Sequence, residues 1–353
     1  MYNVIELISK MIDGYEEKCV ELGIIQRKRE IGSASELMLL NLHHLVNGCS
    51  LIEISALGKL LEIGNFSDVA YMKKFEKCGS WFEWISEQVI GRAVINYEKP
   101  AYLRNYRVIA TDASDILSKG RNAQNYRLHY AVDIFKMCCV YRKITYQTEG
   151  ETLKNFDLAK GDLVVADRIY GTVNGISHCL TNKADYILRL RTNCFKVYDE
   201  SKKEIDILSE FSHLDYEGSA SILGYVKEHS TGNYIAVRIC AKRKSETAIV
   251  HSREKLRRRA TDKQHKLSPR TEVFNDYTIV ATSLPDEVSV SDIFETYRYR
   301  WQIEMYFKRL KSIMNIGDLP KKREDAALAW LNGKIMVALL IESVLADVSF
   351  SPC

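Results

Sequence analysis

Four side chains, Tyr297, Arg300, Glu304 and Lys311, stand in the stretch YRYRWQIEMYFKRLKS at a spacing that could do chemistry. On a continuous α-helix, at about 100° per residue, they fall within an arc of roughly 60°, so one carboxylate lies between two cations and a phenol. Lys308 falls beside them, whereas Ile303, Tyr306, Leu310, Ile313 and Met314 gather on the opposite face, ready for burial. A helix divided in this way can present a catalytic stripe. The same division also describes a solvated surface helix, with Arg300 and Glu304 as an i,i+4 pair worth roughly a few tenths of a kcal/mol.

Two upstream segments supply further carboxylates. Tyr106-Arg-Val-Ile-Ala-Thr-Asp112 and Leu163-Val-Val-Ala-Asp167 each read as a short buried strand ending in aspartate, the second continuing as Arg168-Ile-Tyr170-Gly171. An aspartate at a strand end points into the crevice above a sheet, although turn formation or helix capping places Asp there too. Asp133 and Asp115 compete with Asp112 for the first position, and the first-strand placement favours Asp112. Asp112, Asp167 and Glu304 together make three hard oxygen donors, a set for Mg²⁺ or Mn²⁺ rather than zinc. Phosphoryl transfer uses such a set, with two ions activating the attacking oxygen and stabilising the leaving one. Arg300, Lys308 and Lys311 would then hold backbone phosphates next to the cut.

At this point the chain resembles a known family. The spacing Tyr-x2-Arg-x3-Glu-x6-Lys, met at Tyr297, Arg300, Glu304 and Lys311, is similar to the signature of DDE transposases of the insertion-sequence-4 type. Asp167-Arg168-x-Tyr170-Gly171 resembles their second-aspartate motif, and Thr111-Asp112-Ala-Ser their first. The resemblance implies a mixed α/β fold: a ribonuclease-H-like core interrupted by a mostly β insertion, after an N-terminal helical domain. It implies Asp112, Asp167 and Glu304 as metal ligands, Mg²⁺ as cofactor with Mn²⁺ as a substitute, and cut-and-paste chemistry on double-stranded DNA. The terminal inverted repeats of a mobile element and a target DNA would be the substrates, held by a homodimer in a synaptic complex in the bacterial cytoplasm. Tyr297, Arg300 and Lys311 would grip the non-transferred strand, joined by Arg168 and by Arg189, which matches a position that contacts the transposon end. Trp301 has two readings, core packing or stacking on an unpaired base near the cut.

The elements that must position these residues divide as 1–97, helical and a DNA-binding candidate; 98–191, the first part of the core; 192–277, a β-rich insertion; and 278–353, the second part with the Glu304 helix and a C-terminal helix. In the first, a helix opens after Ser33 or Ser35, and two short helical patterns flank Gly64-Asn65 as in a helix-turn-helix unit, with Ser67, Asp68, Tyr71, Lys73 and Lys74 on the groove-facing helix. In the insertion, His251 to Arg270 carries eight Lys or Arg against Glu254 and Asp262, so a net charge of only +4 for the chain conceals a local basic run. It reads either as a solvated loop or as a surface that tracks a DNA strand. Nine cysteines without a CxxC pair argue against a zinc site and for reduced thiols, and the longest apolar run, Ile335 to Ile341, is too short to span a bilayer. Two other functions share these residues: a DNA-binding regulator or inactive remnant, suggested by the finish at Cys353, and a metal-dependent nuclease of the same fold.

Overall fold

Serine followed three residues later by glutamate organises the first third of the chain. After α1 (Tyr2–Met11) and α2 (Tyr15–Glu21), α3 (Ala34–Val46) and α4 (Leu51–Leu60) each begin with a reciprocal capping box. Ser33 accepts from the Glu36 N–H while the Glu36 carboxylate accepts from the Ser33 N–H at 3.0 Å, and Ser50 and Glu53 repeat the arrangement. Ser33 is thus the cap of α3, and Ser35 instead bonds the Tyr15 hydroxyl at 2.6 Å. Ser67 caps α5 (Asp68–Lys77), which is followed by α6 (Gly79–Val89). Tyr71 and Phe75 point inward from α5 into an aromatic cluster with His44, Phe82 and Trp81. The expectation that Tyr71 faces a DNA groove is therefore corrected: it is fully buried, its hydroxyl bonded to Asn41 at 2.9 Å, while Lys73 and Lys77 remain exposed.

The computed structural model describes residues 2–26, 30–92, 96–118, 124–191, 195–228, 230–264, 266–312, 314–321 and 323–349; Ile313 and Cys353 lie outside them. Behind the helices runs one mixed sheet. β1 (Arg107–Ser118), β2 (Tyr126–Asp133) and β3 (Cys138–Tyr146) form an antiparallel meander, and β4 (Asp162–Ala166) and, after α7 (Val173–Thr181), β5 (Asp185–Arg189) add to it in parallel, in the order β3-β2-β1-β4-β5. This is the ribonuclease-H-like core. Its strands are buried on both faces, which is why they read as unbroken apolar runs. Alternation sends Val108, Ala110, Leu163 and Val165 to the helical side and Ile109, Val164 and Ala166 to the other.

The described residues between Val197 and Arg243 extend this sheet. β6 (Val197–Tyr198), β7 (Glu204–Ile205), the short α8 (Ile207–Glu210), β8 (Ser219–Lys227) and β9 (Tyr234–Arg243) precede α9 (Glu246–Asp262) and α10 (Pro269–Asn275). β10 (Tyr277–Thr282) then pairs with β5 on one edge and β9 on the other, so the insertion's strands join the core sheet. The basic run, expected as a loop or strand-tracking surface within a mostly β segment, is largely the 17-residue helix α9. Ser245 caps it, and Glu, Lys, Arg and Ala, all strong helix formers, fill it. It lacks an apolar stripe, burying only Ile249, and so showed no helical periodicity.

α11 (Val290–Arg298) and α12 (Trp301–Ser312) correct the single helix expected through the signature. At the junction the N–H groups of Tyr299, Arg300, Gln302 and Ile303 reach back three residues rather than four, overwinding the chain so that α12 starts afresh. Within α12 the expected apolar face holds, with Ile303, Tyr306 and Leu310 buried together with Met314 beyond it. β11 (Asp318–Leu319) then pairs in parallel with the end of β1. The last helix, α13 (Glu324–Ser349), packs on α6, α5 and α3. Its Glu324–Leu345 stretch has the length and apolar composition of a membrane span, but 72% of its most apolar window is buried inside the protein.

Gly171 lets the loop after Asp167 lie against β5: a Cβ there would come within 1.8 Å of the Arg189 carbonyl oxygen. Gly171→Ala is therefore expected to cost about 3 kcal/mol or more, read as a lowered denaturation midpoint. A second expectation concerns pH. His129 is buried against Thr145 at 3.0 Å, and burial pulls its imidazole from 6.5 down to about 4. The folded chain thus binds fewer protons than the unfolded one between these values, so His129 stabilises the fold above 6.5 and that contribution is lost as pH falls toward 4. The melting temperature of His129→Gln should fall less steeply than wild type over that window. Comparing the two isolates the histidine from Glu342, whose carboxyl burial raises to about 7 and which acts in the opposite sense.

Candidate active site

Asp112 lies in the middle of β1 and not at its end, because β2 pairs with β1 as far as Ile116. On the other edge, however, β4 stops at Ala166, opposite Thr111. Asp112 and Asp167 are the next positions on two neighbouring parallel strands, and alternation turns both toward the side that α12 covers. Both competitors are engaged elsewhere. Asp115 is engaged by Arg127 at 2.8 Å and Gln147 at 3.0 Å, and Asp133 caps the turn after β2 by accepting from the N–H groups of Phe135 and Lys136.

Asp112, Glu304, Phe307, Lys308 and Lys311 line one open cleft of about 590 Å³. A second cleft, about 640 Å³, is lined by Arg189, Tyr297, Arg300 and Trp301 and also by Lys242 of β9. Glu304, in the first turn of α12, belongs to the first, and Arg300 in the turn before it belongs to the second. Their ion pair, 2.6 Å, bridges the two. Arg189 stands at the end of β5 with its guanidinium 3.9 Å from Asp167. Arg168, immediately after Asp167, is exposed.

Burial sets the electrostatics. The Asp112 carboxyl is pushed up to about 6, chiefly by loss of water, while the Ala113 N–H at 2.8 Å and the charge of Arg300 pull the other way. One oxygen of Asp167 is buried without a hydrogen-bond partner, as are the hydroxyls of Tyr170 and Tyr297. Both tyrosines are pushed upward by desolvation, Arg189 opposing the shift at Tyr297 and the Asp112 charge adding to it at Tyr170. Two carboxylates side by side, Asp112 short of water and Asp167 with one buried oxygen unpartnered, form a pair of hard donors that a divalent cation would satisfy. Among the described residues no three His, Cys, Asp or Glu side chains yet stand close enough to enclose an ion, since Glu304 is turned to Arg300.

The family model described as "Transposase DDE domain" matches residues 104–340, which span both aspartate strands, the insertion and the Glu304 helix. The chain belongs to the DDE transposase family. It is 26% identical to the transposase for the insertion sequence element IS421 of Escherichia coli, over 92% of this chain and 88% of that one. The InsL protein of IS186A from E. coli K12 gives the same identity and coverage. The transposase for IS1151 of Clostridium perfringens is 27% identical over 35% of this chain. A DDE transposase cleaves and joins DNA strands and depends on a divalent metal, and the insertion-sequence-4 type inferred from the signature is consistent with these relatives.

Sequence reasoning missed some residues at the site. Lys242 and Lys244 belong to Ala241-Lys-Arg-Lys244, three cations in a row after an apolar run, and the i,i+2 spacing of the two lysines on an extended chain was the signal that puts them on one side. Trp301, left open between core and surface, is 58% exposed, whereas Tyr297 is buried. Trp301→Ala should therefore leave stability within about 0.5 kcal/mol of wild type, and Tyr297→Ala should cost about 3 kcal/mol, both measurable by chemical denaturation.

Proposed function

We propose that this transposase binds the terminal inverted repeats of an insertion sequence and performs cut-and-paste transposition with Asp112, Asp167 and Glu304 as its Mg²⁺ ligands. The observation that carries this reading is the in-register placement of Asp112 beside Asp167, with Glu304 lining the same cleft as Asp112. Bound there, divalent ions supply an activated attacking oxygen and a stabilised leaving oxygen for in-line displacement at phosphorus. The remaining work falls to the chain's own side chains. Lys308 and Lys311 hold the backbone phosphate of the strand in the first cleft, Arg300 and Arg189 hold phosphates in the second, and the exposed Arg168 beside Asp167 adds a further cation. Tyr297 positions Arg300, whose guanidinium lies 6.0 Å from the phenol ring centre, and the exposed Trp301 stacks on a base freed near the cut.

Residues 1–97, with Lys73 and Lys77 exposed on α5, form the end-binding domain in this reading, 98–191 and 278–353 the core, and 192–277 the insertion. A homodimer pairs two element ends in a synaptic complex within the cytoplasm, with Mn²⁺ able to replace Mg²⁺.

The deciding experiment is cleavage and strand transfer on labelled DNA taken from the flanks of the gene, in Mg²⁺, with wild type and Asp167→Ala. Metal-dependent nicking and joined product, both lost in the variant, are expected; nicking without joining would make the protein a nuclease. Glu304→Gln keeps the shape of α12 and should retain binding of the end while lowering cleavage by about a thousand-fold or more. Cleavage at the wild-type rate would remove Glu304 from the site.

A further inference from the structure

We propose that Lys242 of the insertion and Arg298 of α11 join Arg189 and Arg300 in holding the two backbone phosphates on either side of the nucleotide whose base stacks on Trp301, so that the second cleft takes one nucleotide of the strand being cut. The inference rests on the DNA-cleaving reading above and adds two residues to it, one of them from a segment with no assigned part in the chemistry.

Strand pairing builds one wall of this cleft. β5, β10 and β9 lie side by side, with Arg189 opposite Val280, Val280 opposite Cys240, and Thr278 opposite Lys242. Ile187, Val280 and Cys240 belong to the core on the α12 side of the sheet, so Arg189, Thr278 and Lys242, each two positions along its strand, face the same way, and all three line the cleft. Two strand spacings, roughly 10 Å, separate Arg189 from Lys242 across the sheet, so the two cations stand on different parts of the wall. The turn between α11 and α12 makes the other wall, with Arg298 in the last turn of α11 and Arg300 and Trp301 just after it. Tyr297, nine-tenths buried, also lines the cleft, and its hydroxyl has no hydrogen-bond partner.

Four cations meet a single carboxylate in the lining, that of Glu295. Arg300 is held by Glu304 at 2.6 Å and Arg189 stands 3.9 Å from Asp167, whereas Lys242 and Arg298 are exposed and, among the described residues, close no ion pair. Unpaired cations on both walls, an exposed aromatic ring and a buried hydroxyl able to donate are complementary to a nucleotide: its phosphates suit the cations, its base the ring, and a phosphate or sugar oxygen the phenol. A cleft of about 640 Å³ lies within the roughly 300–1,000 Å³ of ordinary ligand sites, room for a nucleotide and too little for a duplex. A cation in the last turn of α11 also suits the helix dipole, a structural role that denaturation reads and salt-dependent DNA binding does not.

The test uses the full chain and a duplex carrying the element end, in EDTA so that no strand is cut. Placing 2-aminopurine at successive positions near the cut locates the freed base as the one whose fluorescence in the complex changes in Trp301→Ala. Affinity is then measured against salt for wild type, Lys242→Met, Arg298→Met, Lys242→Arg and, as a control, Arg257→Ala, whose guanidinium is engaged by Glu272 at 3.1 Å. The two methionine variants should each lower the slope of log K against log salt by about one, while Lys242→Arg and the control keep the wild-type slope. An uncharged methylphosphonate on one side of the freed base should weaken wild type about ten-fold and Lys242→Met about three-fold or less, with the same contrast for Arg298→Met on the other side. A full slope in either methionine variant, or equal methylphosphonate penalties in wild type and variants, overturns the proposal and leaves the transposase reading intact. Sensitive phosphates that do not flank the Trp301-dependent base, or no such base in a complex that forms, overturn the assignment of the cleft to that nucleotide. Wild type that shows no salt-dependent affinity for the end sinks both readings together.

Discussion

Parallel pairing of β1 with β4 is the constraint on which the site depends. It fixes Thr111 opposite Ala166, and the next residue of each strand is an aspartate on the same face. A slip of one residue in either strand would send one carboxylate through the sheet to the face lined by Ile109 and Val164. The register is held by apolar side chains on both faces and by Gly171, whose lack of a Cβ lets the chain after Asp167 close against β5. Helix α12 then needs only to bury Ile303, Tyr306 and Leu310 to bring Glu304 and the two lysines over that edge.

Much of this was legible. The two aspartates, the glutamate and the flanking cations are chemically unusual residues set against apolar runs, and both the runs and the apolar face of α12 survive in the fold. What escaped is what local pattern cannot carry. The extension of β1 beyond Asp112 depends on β2, a partner distant in sequence. The break between α11 and α12 has no Pro or Gly to announce it; the polar, charged sequence reads as helix throughout, and the turn is imposed by what the two helices bury. Tyr71 fits an exposed polar face by composition and is drawn inward by His44, Phe66 and Phe75. Helix α9 lacks an apolar stripe, so the periodicity that reveals other helices was missing.

The insertion's continuity with the core changes how its charge should be understood. Because β9 pairs with β10, and β10 with β5, the lysines at the end of β9 are held on the same rigid sheet as Arg189 and, through β4, Asp167. Lys242 lines the cleft of Tyr297 and Arg300, and Lys244 is anchored under α9. Cations placed by strand pairing lose little further freedom when a phosphate arrives, in contrast to lysines on a solvated loop.

The arginines and carboxylates of the site have a reciprocal relation. Arg300 holds Glu304 at 2.6 Å, and Arg189 approaches Asp167 at 3.9 Å. In the proposed mechanism the same carboxylates serve as metal ligands and the same arginines serve as phosphate ligands, so each pair must part for either role to be filled. DNA that draws Arg300 toward a phosphate leaves Glu304 without its counter-ion, beside an Asp112 already short of water. Three carboxylates in that state repel one another and raise the local affinity for a divalent cation. By linkage, a cation that claims Glu304 releases Arg300 for the strand with the same coupling free energy. With Arg300 holding Glu304 and Arg189 near Asp167, the proposed mechanism favours assembly of the metal site on its substrate over assembly in free protein.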